Sequence, residues 1–307
     1  MTPTTGLLIP CYNAERYLPN LKKQIEALNP KFDEVILVDD GSTDRTVERG
    51  RELGLTIEPL GLNRGPGAAR NAAAKRCRAE WIHFHDCDDE LHPDYLARTL
   101  SQAAADTDVV LSSSDFLEEV DRSFVMRWSF DRDAWAKDPI QRAIRTGVNT
   151  TSSLIRKSKF EEIGGFNEER RCWEDGDMHL RLALAGARFR AVPDVLCTSL
   201  RHARGTSGNR LYCHRCRLGF LKEYAKFLPP IDVRDLIGEV MQTAAGLHQE
   251  GDFAGMDEAL NLALRLGWKG PESGHPLLQG LGKIPFPGWR KLLFRLQMSR
   301  RGNREAA

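Results

Sequence analysis

What this chain lacks narrows its class first. It has no surplus of charge of either sign: 44 lysines and arginines stand against 43 aspartates and glutamates in 307 residues. Without a basic surplus there is no electrostatic case for a nucleic-acid partner. No apolar run approaches the roughly 20 residues that a membrane-spanning helix needs. The N-terminus has no basic stretch followed by a long apolar one, so no secretory leader is expected. Cysteine is sparse, with seven scattered residues and no zinc-site spacing. Cys213 and Cys216 form one Cys-x-x-Cys around His214, but no second pair accompanies it. They read as free thiols on a helix, and reduced thiols fit a cytoplasmic location. No internal repeat or low-complexity tract interrupts the chain. What remains is a soluble chain of ordinary apolar content, long enough for one large α/β domain or two smaller ones.

The most informative stretch present is Trp81-Ile82-His83-Phe84-His85-Asp86-Cys87-Asp88-Asp89. Its first half reads as a short buried strand of β-formers. Three aspartates follow within four positions, and Pro93 opens a helix after them. Carboxylates this close repel one another, and a hard divalent cation, Mg²⁺ or Mn²⁺, removes that cost. The simpler alternative is a solvated turn whose aspartates cap the next helix.

The chain around it alternates. Residues 6–10 read as a first buried strand, residues 14–28 as a helix, and Val35-Ile36-Leu37-Val38 as an apolar strand of the kind covered on both faces. That strand ends in Asp39-Asp40-Gly41-Ser42-Thr43-Asp44, and a helix to about Leu53 follows. A third strand at 56–60 leads to the turn Asn63-Arg64-Gly65-Pro66-Gly67 and a helical segment at 68–77. After the Trp81 stretch come a helix at 93–104 and a strand at 108–111. This pattern predicts an α/β fold with a Rossmann-like, mostly parallel central sheet and helices on both faces. Ligands of such sheets bind beyond the carboxyl ends of the strands, where Tyr12-Asn13, Asp39-Asp40 and Asp86 to Asp89 all fall. Beyond residue 112 the alternation breaks. The expected elements are a two-stranded excursion at 118–130, a helix at 131–145, a strand at 150–155 and a short helix at 157–163. An amphipathic helix then follows Trp173-Glu174-Asp175, and a strand spans 195–200. From residue 210 the pattern is helical. Its last helix, residues 289–301 (Trp289 to Arg301), sets leucines and phenylalanine against arginines and lysine. That make-up suits contact with an anionic membrane surface, with docking on the domain as the alternative.

The motifs Pro10-Cys11-Tyr12-Asn13, Asp39-Asp40-Gly41-Ser42-Thr43-Asp44, Asn63-Arg64-Gly65 with Ala69-Arg70-Asn71, Asp86-Cys87-Asp88-Asp89 and Trp173-Glu174-Asp175 occur in that order. Together they resemble the family 2 inverting glycosyltransferases with the A-type nucleotide-sugar fold, over about residues 6–207. The resemblance implies a nucleotide-sugar domain at 1–207 with a helical extension at 208–307. It implies a nucleoside diphosphate sugar donor, most simply a UDP-sugar, and a hydroxyl acceptor such as a glycan or lipid-linked saccharide. Asp88 is implied as metal ligand, with Asp86, Asp89 and His202 as further candidates for Mn²⁺ or Mg²⁺. Pro10, Tyr12, Asn13, Asp39, Asp40, Arg70 and Asp86 are implied on the donor side. Asp175 is implied as the general base, with Glu174 and Gly165 toward the acceptor. His85 and Ala72 depart from the family's usual residues, without removing a group the chemistry requires. Two rival readings are a nucleotidyltransferase and a non-catalytic binding module. The first usually opens with a glycine-rich loop and a lysine, and Pro10 to Ala14 holds neither.

Overall fold

The computed structural model describes residues 3–145, 147–202, 205, 208–227, 233–270, 288, 290–295 and 298. It divides into two compact units, Met1–Gly208 and Asn209–Ala307.

The first unit opens as the alternation predicts. Strand β1 (Thr5–Cys11), helix α1 (Leu18–Ala27), β2 (Glu34–Asp39), α2 (Thr46–Glu52), β3 (Ile57–Pro59), α3 (Pro66–Arg76) and β4 (Trp81–Phe84) follow in turn. β2 and β4 flank β1, β3 pairs with β2, and all three pairings are parallel. β1 is buried along nearly its whole length, as a strand covered on both faces must be. α3 packs closely because the side facing the sheet is small: Gly67, Ala68, Ala69, Ala73 and Ala74 are buried, with Arg70 and Asn71 the buried polar exceptions.

The second half of the unit is mixed. β5 (Glu90–Leu91), α4 (Tyr95–Leu100), β6 (Val109–Glu118), β7 (Phe124–Trp128), α5 (Arg132–Lys137), α6 (Pro139–Arg145), β8 (Ser153–Arg156), α7 (Lys157–Glu162), α8 (Glu174–Leu184) and β9 (Phe189–Arg201) complete it. The sheet order is β3-β2-β1-β4-β8-β6-β9-β5, with β7 paired to β6. Six of the nine described strands (β1, β2, β3, β4, β6, β9) run one way, so the sheet is mostly parallel. The strand expected at 108–111 is there, but it does not neighbour β4. β8 lies between them, antiparallel to both.

Three expected elements differ in detail. The helix at 131–145 is broken at Asp138 because Pro139 has no N–H to continue it. The first residues of the strand at 150–155 form a 3₁₀ turn, Thr150–Ser152. β9 is longer than expected, and its register against β6 jumps from Val192 to Val195, leaving Pro193 and Asp194 out of the ladder. A proline cannot donate there, so the bulge falls where the chain permits it.

The second unit consists, among the described residues, of α9 (Arg210–Tyr224), α10 (Val233–Gln249) and α11 (Phe253–Arg265), with a further helical stretch at 290–295. Leu236, Val240, Ala244 and Leu247 recur at helical spacing and are buried, as are Met256, Ala259, Leu260 and Ala263. Asn209 and Asp252 cap α9 and α11 by accepting from Tyr212 and Gly255 N–H. Cys213 and Cys216 both lie on α9, as expected. Much of the helix expected at 289–301 lies outside the described residues. No described helix is long and apolar enough to cross a membrane.

Candidate active site

The site is built where β1, β2 and β4 end side by side. After β1, Asn13 adopts a left-handed backbone (φ 48°), which asparagine tolerates well. Its amide oxygen accepts from Thr43 N–H at 2.8 Å, and its own N–H donates to Ser42 Oγ at 2.9 Å. The loops after β1 and β2 therefore hold each other. Tyr12 stands between them with 52% of its surface exposed, available to a flat partner. Pro10 precedes it, half-buried at the end of β1.

Asp39 and Asp40 are both buried but do different things. Asp39 accepts from the Ser42 N–H at 3.1 Å and from the Ser42 hydroxyl. Asp40 takes the N–H groups of Arg64 and Gly65, one on each oxygen, both at 2.8 Å. Burial raises the Asp40 carboxyl above the usual range, against the lowering effect of those two bonds. Asp40 thus clamps the 63–65 loop. That loop is also held by Arg171, whose Nη1 donates to Asn63 at 2.7 Å, and by an Arg64–Glu168 ion pair at 2.6 Å.

The aspartate loop after β4 divides its three carboxylates. Asp86 is half-exposed and accepts from Arg70 Nη2 at 2.7 Å. Asp88 pairs with His202 Nε2 at 2.9 Å. Burial, then the Asp86 charge, pushes the Asp88 carboxyl up. Asp89 turns away. One of its oxygens takes the Ser199 hydroxyl at 2.9 Å and the other the Leu200 N–H at 3.1 Å, tying the loop to β9. Burial and its two acidic neighbours raise it well above the ordinary value. Both Asp89 oxygens are therefore engaged by β9, which suits a brace for the loop better than a metal ligand. Among the described residues, no three His, Cys, Asp or Glu side chains converge as a complete metal cage. The donors that fit a cation are Asp88 and His202, the latter with its Nδ1 buried and unbonded. Beside His202, Arg201 lies 3.9 Å from Glu118.

Arg70 joins this loop to α8. It is almost fully buried, and its Nη1 donates to Glu174 at 2.9 Å. The two carboxylates raise its already high pKa against the cost of burial. Glu174 and Asp175 open α8 behind Trp173, which sits in the left-handed region (φ 66°). An L residue other than glycine or asparagine pays roughly 1–2 kcal/mol there. Asp175 accepts from the Gly176 N–H at 2.7 Å. Burial first, and then Glu174, push its carboxyl up to about 7, with Asp86 adding to the rise. A carboxylate so tuned exchanges protons near neutral pH. Beneath it, His179 Nδ1 meets the Asp175 carbonyl at 2.8 Å and His179 Nε2 meets Ser153 at 3.1 Å. Burial lowers this imidazole to about 4, so it is a neutral brace.

Gly165 lies behind this apparatus. A Cβ there would meet Asn71 Oδ1 at 2.5 Å, and its carbonyl accepts from Arg181 at 2.7 Å. Its contacts join α3 to α8. His85 is buried, and burial lowers it to about 4 against the raising effect of Asp86. Sequence reasoning missed the Asp89 tie to β9 and the grip of residues 168–171 on the 63–65 loop. Both depend on residues roughly a hundred positions apart.

The chain as a whole is similar to known proteins. The profile described as "Glycosyl transferase family 2" covers residues 7–164, just over half of the chain. The chain belongs to glycosyl transferase family 2. Its similarity to the poly(ribitol-phosphate) β-N-acetylglucosaminyltransferase TarS of Staphylococcus aureus is 38% identity over 107 residues, covering 33% of this chain and 18% of TarS. With the amylovoran biosynthesis glycosyltransferase AmsE of Erwinia amylovora it is 28% identity over 201 residues, covering 62% and 74%. EpsH of Bacillus subtilis matches over 33% of its own length, so the chain spans a minority of several curated relatives. Among solved structures, a Pyrobaculum calidifontis mannosyltransferase in complex with GDP-Man and Mn²⁺ superposes with a TM-score of 0.63 at 18% identity. That match covers 98% of this chain and 87% of the other. TarS with UDP-GlcNAc gives a TM-score of 0.57 at 19% identity, covering 97% and 92%. At these identities the likeness concerns the fold.

Proposed function

We propose that this chain transfers one sugar from a UDP-sugar to a hydroxyl of a glycan or lipid-linked saccharide, with inversion at the anomeric carbon. The observation that carries the reading is the shared charge network of the aspartate loop and the start of α8. Arg70 binds both Asp86 and Glu174, and Asp86 contributes to the raised pKa of Asp175. A leaving-group site and a proton acceptor therefore stand against each other.

In this reading Tyr12, Asn13, Pro10 and Asp39 meet the nucleoside, while Asp40 acts through the 63–65 loop that it clamps. Asp88 and His202, assisted by Asp86, would hold Mn²⁺ or Mg²⁺. Such a cation would supply charge neutralisation for the departing diphosphate. Asp175 takes the proton of the acceptor hydroxyl as its oxygen attacks the anomeric carbon opposite the diphosphate. Glu174, fixed by Arg70, positions the helix start. Residues 1–207 form the nucleotide-sugar domain and 208–307 its helical extension, acting in the cytoplasm. Relatives named for polysaccharide biosynthesis, and a fold neighbour bound to UDP-GlcNAc, support the donor and acceptor classes.

The test is a panel of nucleotide sugars with Mn²⁺, read by release of nucleoside diphosphate. Metal-dependent release from at least one UDP-sugar is expected. A protein that neither binds nor cleaves any nucleotide sugar overturns the reading.

A further inference from the structure

Cys11 and Cys87 face each other across the two loops that frame the candidate donor site. Their sulfurs are 3.2 Å apart, and the Cys87 thiol also donates to the Pro10 carbonyl at 3.2 Å. The fold enforces this approach. β1 and β4 pair in register with Leu8 opposite Phe84, and His85 N–H continues the ladder to the Leu8 carbonyl at 2.9 Å. Beyond that point the strand runs on to Cys11 and the other chain turns through Cys87, and the two side chains meet at their sulfurs. Cys11 is 1% exposed and Cys87 7%, so Cys87 is the sulfur that an oxidant in solution reaches first.

We infer that Cys11 and Cys87 form a reversible disulfide that closes the donor site. A small disulfide, such as oxidised glutathione, is the oxidant class. The Cys87 sulfur attacks it and expels one thiol, giving a mixed disulfide. The Cys11 sulfur then attacks the Cys87 sulfur and expels the second thiol. Two protein thiols are oxidised, and one oxidant disulfide is reduced to two thiols. Bonding draws the sulfurs from 3.2 Å to about 2.05 Å. Cys87 lies between Asp86 and Asp88, and Cys11 between Pro10 and Tyr12. The bond therefore ties the end of β1 to the aspartate loop beside the candidate donor site. The closure of the donor site rests on the reading of these loops given above, but the bond itself does not.

The experiment treats the full-length protein with oxidised glutathione, then with dithiothreitol. Intact mass, peptide mapping and UDP-sugar binding with Mn²⁺ are followed at each stage. Expected are a loss of two hydrogens, a Cys11–Cys87 linked peptide, and binding weakened about tenfold or more. Dithiothreitol should restore all three. Cys11→Ser and Cys87→Ser should each lose the linked peptide and the oxidant response, whereas Cys77→Ser should keep both. A map without the Cys11–Cys87 link overturns the inference, as does linked protein that binds donor as tightly as reduced protein. Linked protein whose reduced form binds no nucleotide sugar overturns the donor reading instead and leaves the bond standing.

Discussion

Arg70 Nη2 donates to Asp86 at 2.7 Å, and the same guanidinium reaches Glu174 at 2.9 Å from the other side. One buried arginine thus holds an aspartate loop and a helix start together. Arg70→Ala leaves two carboxylates facing each other without a cation. Removing one partner of a buried pair typically costs about 3–5 kcal/mol. The expected result is a clear fall in the unfolding midpoint together with weaker donor binding. Arg70→Lys should recover part of the stability but only one of the two contacts, since an ammonium lacks the guanidinium's fork. Equal stability of Arg70→Ala and parent would refute the tie.

Asp88 and Asp89 are neighbours with separate duties, and their substitutions should separate. Asp88→Ala should abolish metal-dependent donor binding with little change in thermal stability. Asp89→Ala should lower stability by about 1–3 kcal/mol, because the Ser199 hydroxyl and Leu200 N–H lose their acceptor. Isothermal titration with a UDP-sugar and Mn²⁺, run beside thermal melts, distinguishes the two.

Asp175→Asn should keep donor binding and lose about 10²–10⁴ in transfer rate. In the parent, the base works only when ionised, so kcat/KM should rise with pH and level off above about 7. The stability effect has the opposite sign. The folded pKa lies above the unfolded value, so the folded chain holds this proton more tightly. Stability from this group falls as pH climbs from the ordinary carboxylate range to about 7. Asp175→Asn should flatten that slope, which pH-dependent melts would detect.

Gly65 carries a positive φ of 97°, and a Cβ there would meet Arg171 Cδ at 2.9 Å. Gly65→Ala should displace the loop that Asp40 clamps and weaken donor binding several-fold, leaving the charge network around Arg70 in place. Unchanged donor affinity would show that this loop does not serve the donor.

The parallel half of the sheet was legible because each strand is a local apolar run ending in turn chemistry. Val35 to Asp39 and Trp81 to Phe84 announce themselves without distant information. The order of the other half was not legible. Nothing local in Ser153–Arg156 tells that it slots between β4 and β6. The site followed the same division. Asp39, Asp88 and Asp175 stand out as polar residues where strands end or a helix begins. The partners of Asp89, Arg70 and Asp40 lie 111, 104 and 25 residues away along the chain at the furthest, so spacing alone does not reveal them.

The placement of β8 has a consequence for how the molecule is made. One edge of β4 acquires its neighbour only when residues 153–156 have been synthesised, after the whole of β5, β6 and β7. On the ribosome, the two aspartate-bearing loops after β2 and β4 emerge before α8 with Asp175, and His202 emerges after it. The nascent chain therefore carries an unmated hydrophobic edge through this interval, and Asp88 meets His202 only once α8 and β9 have also been made.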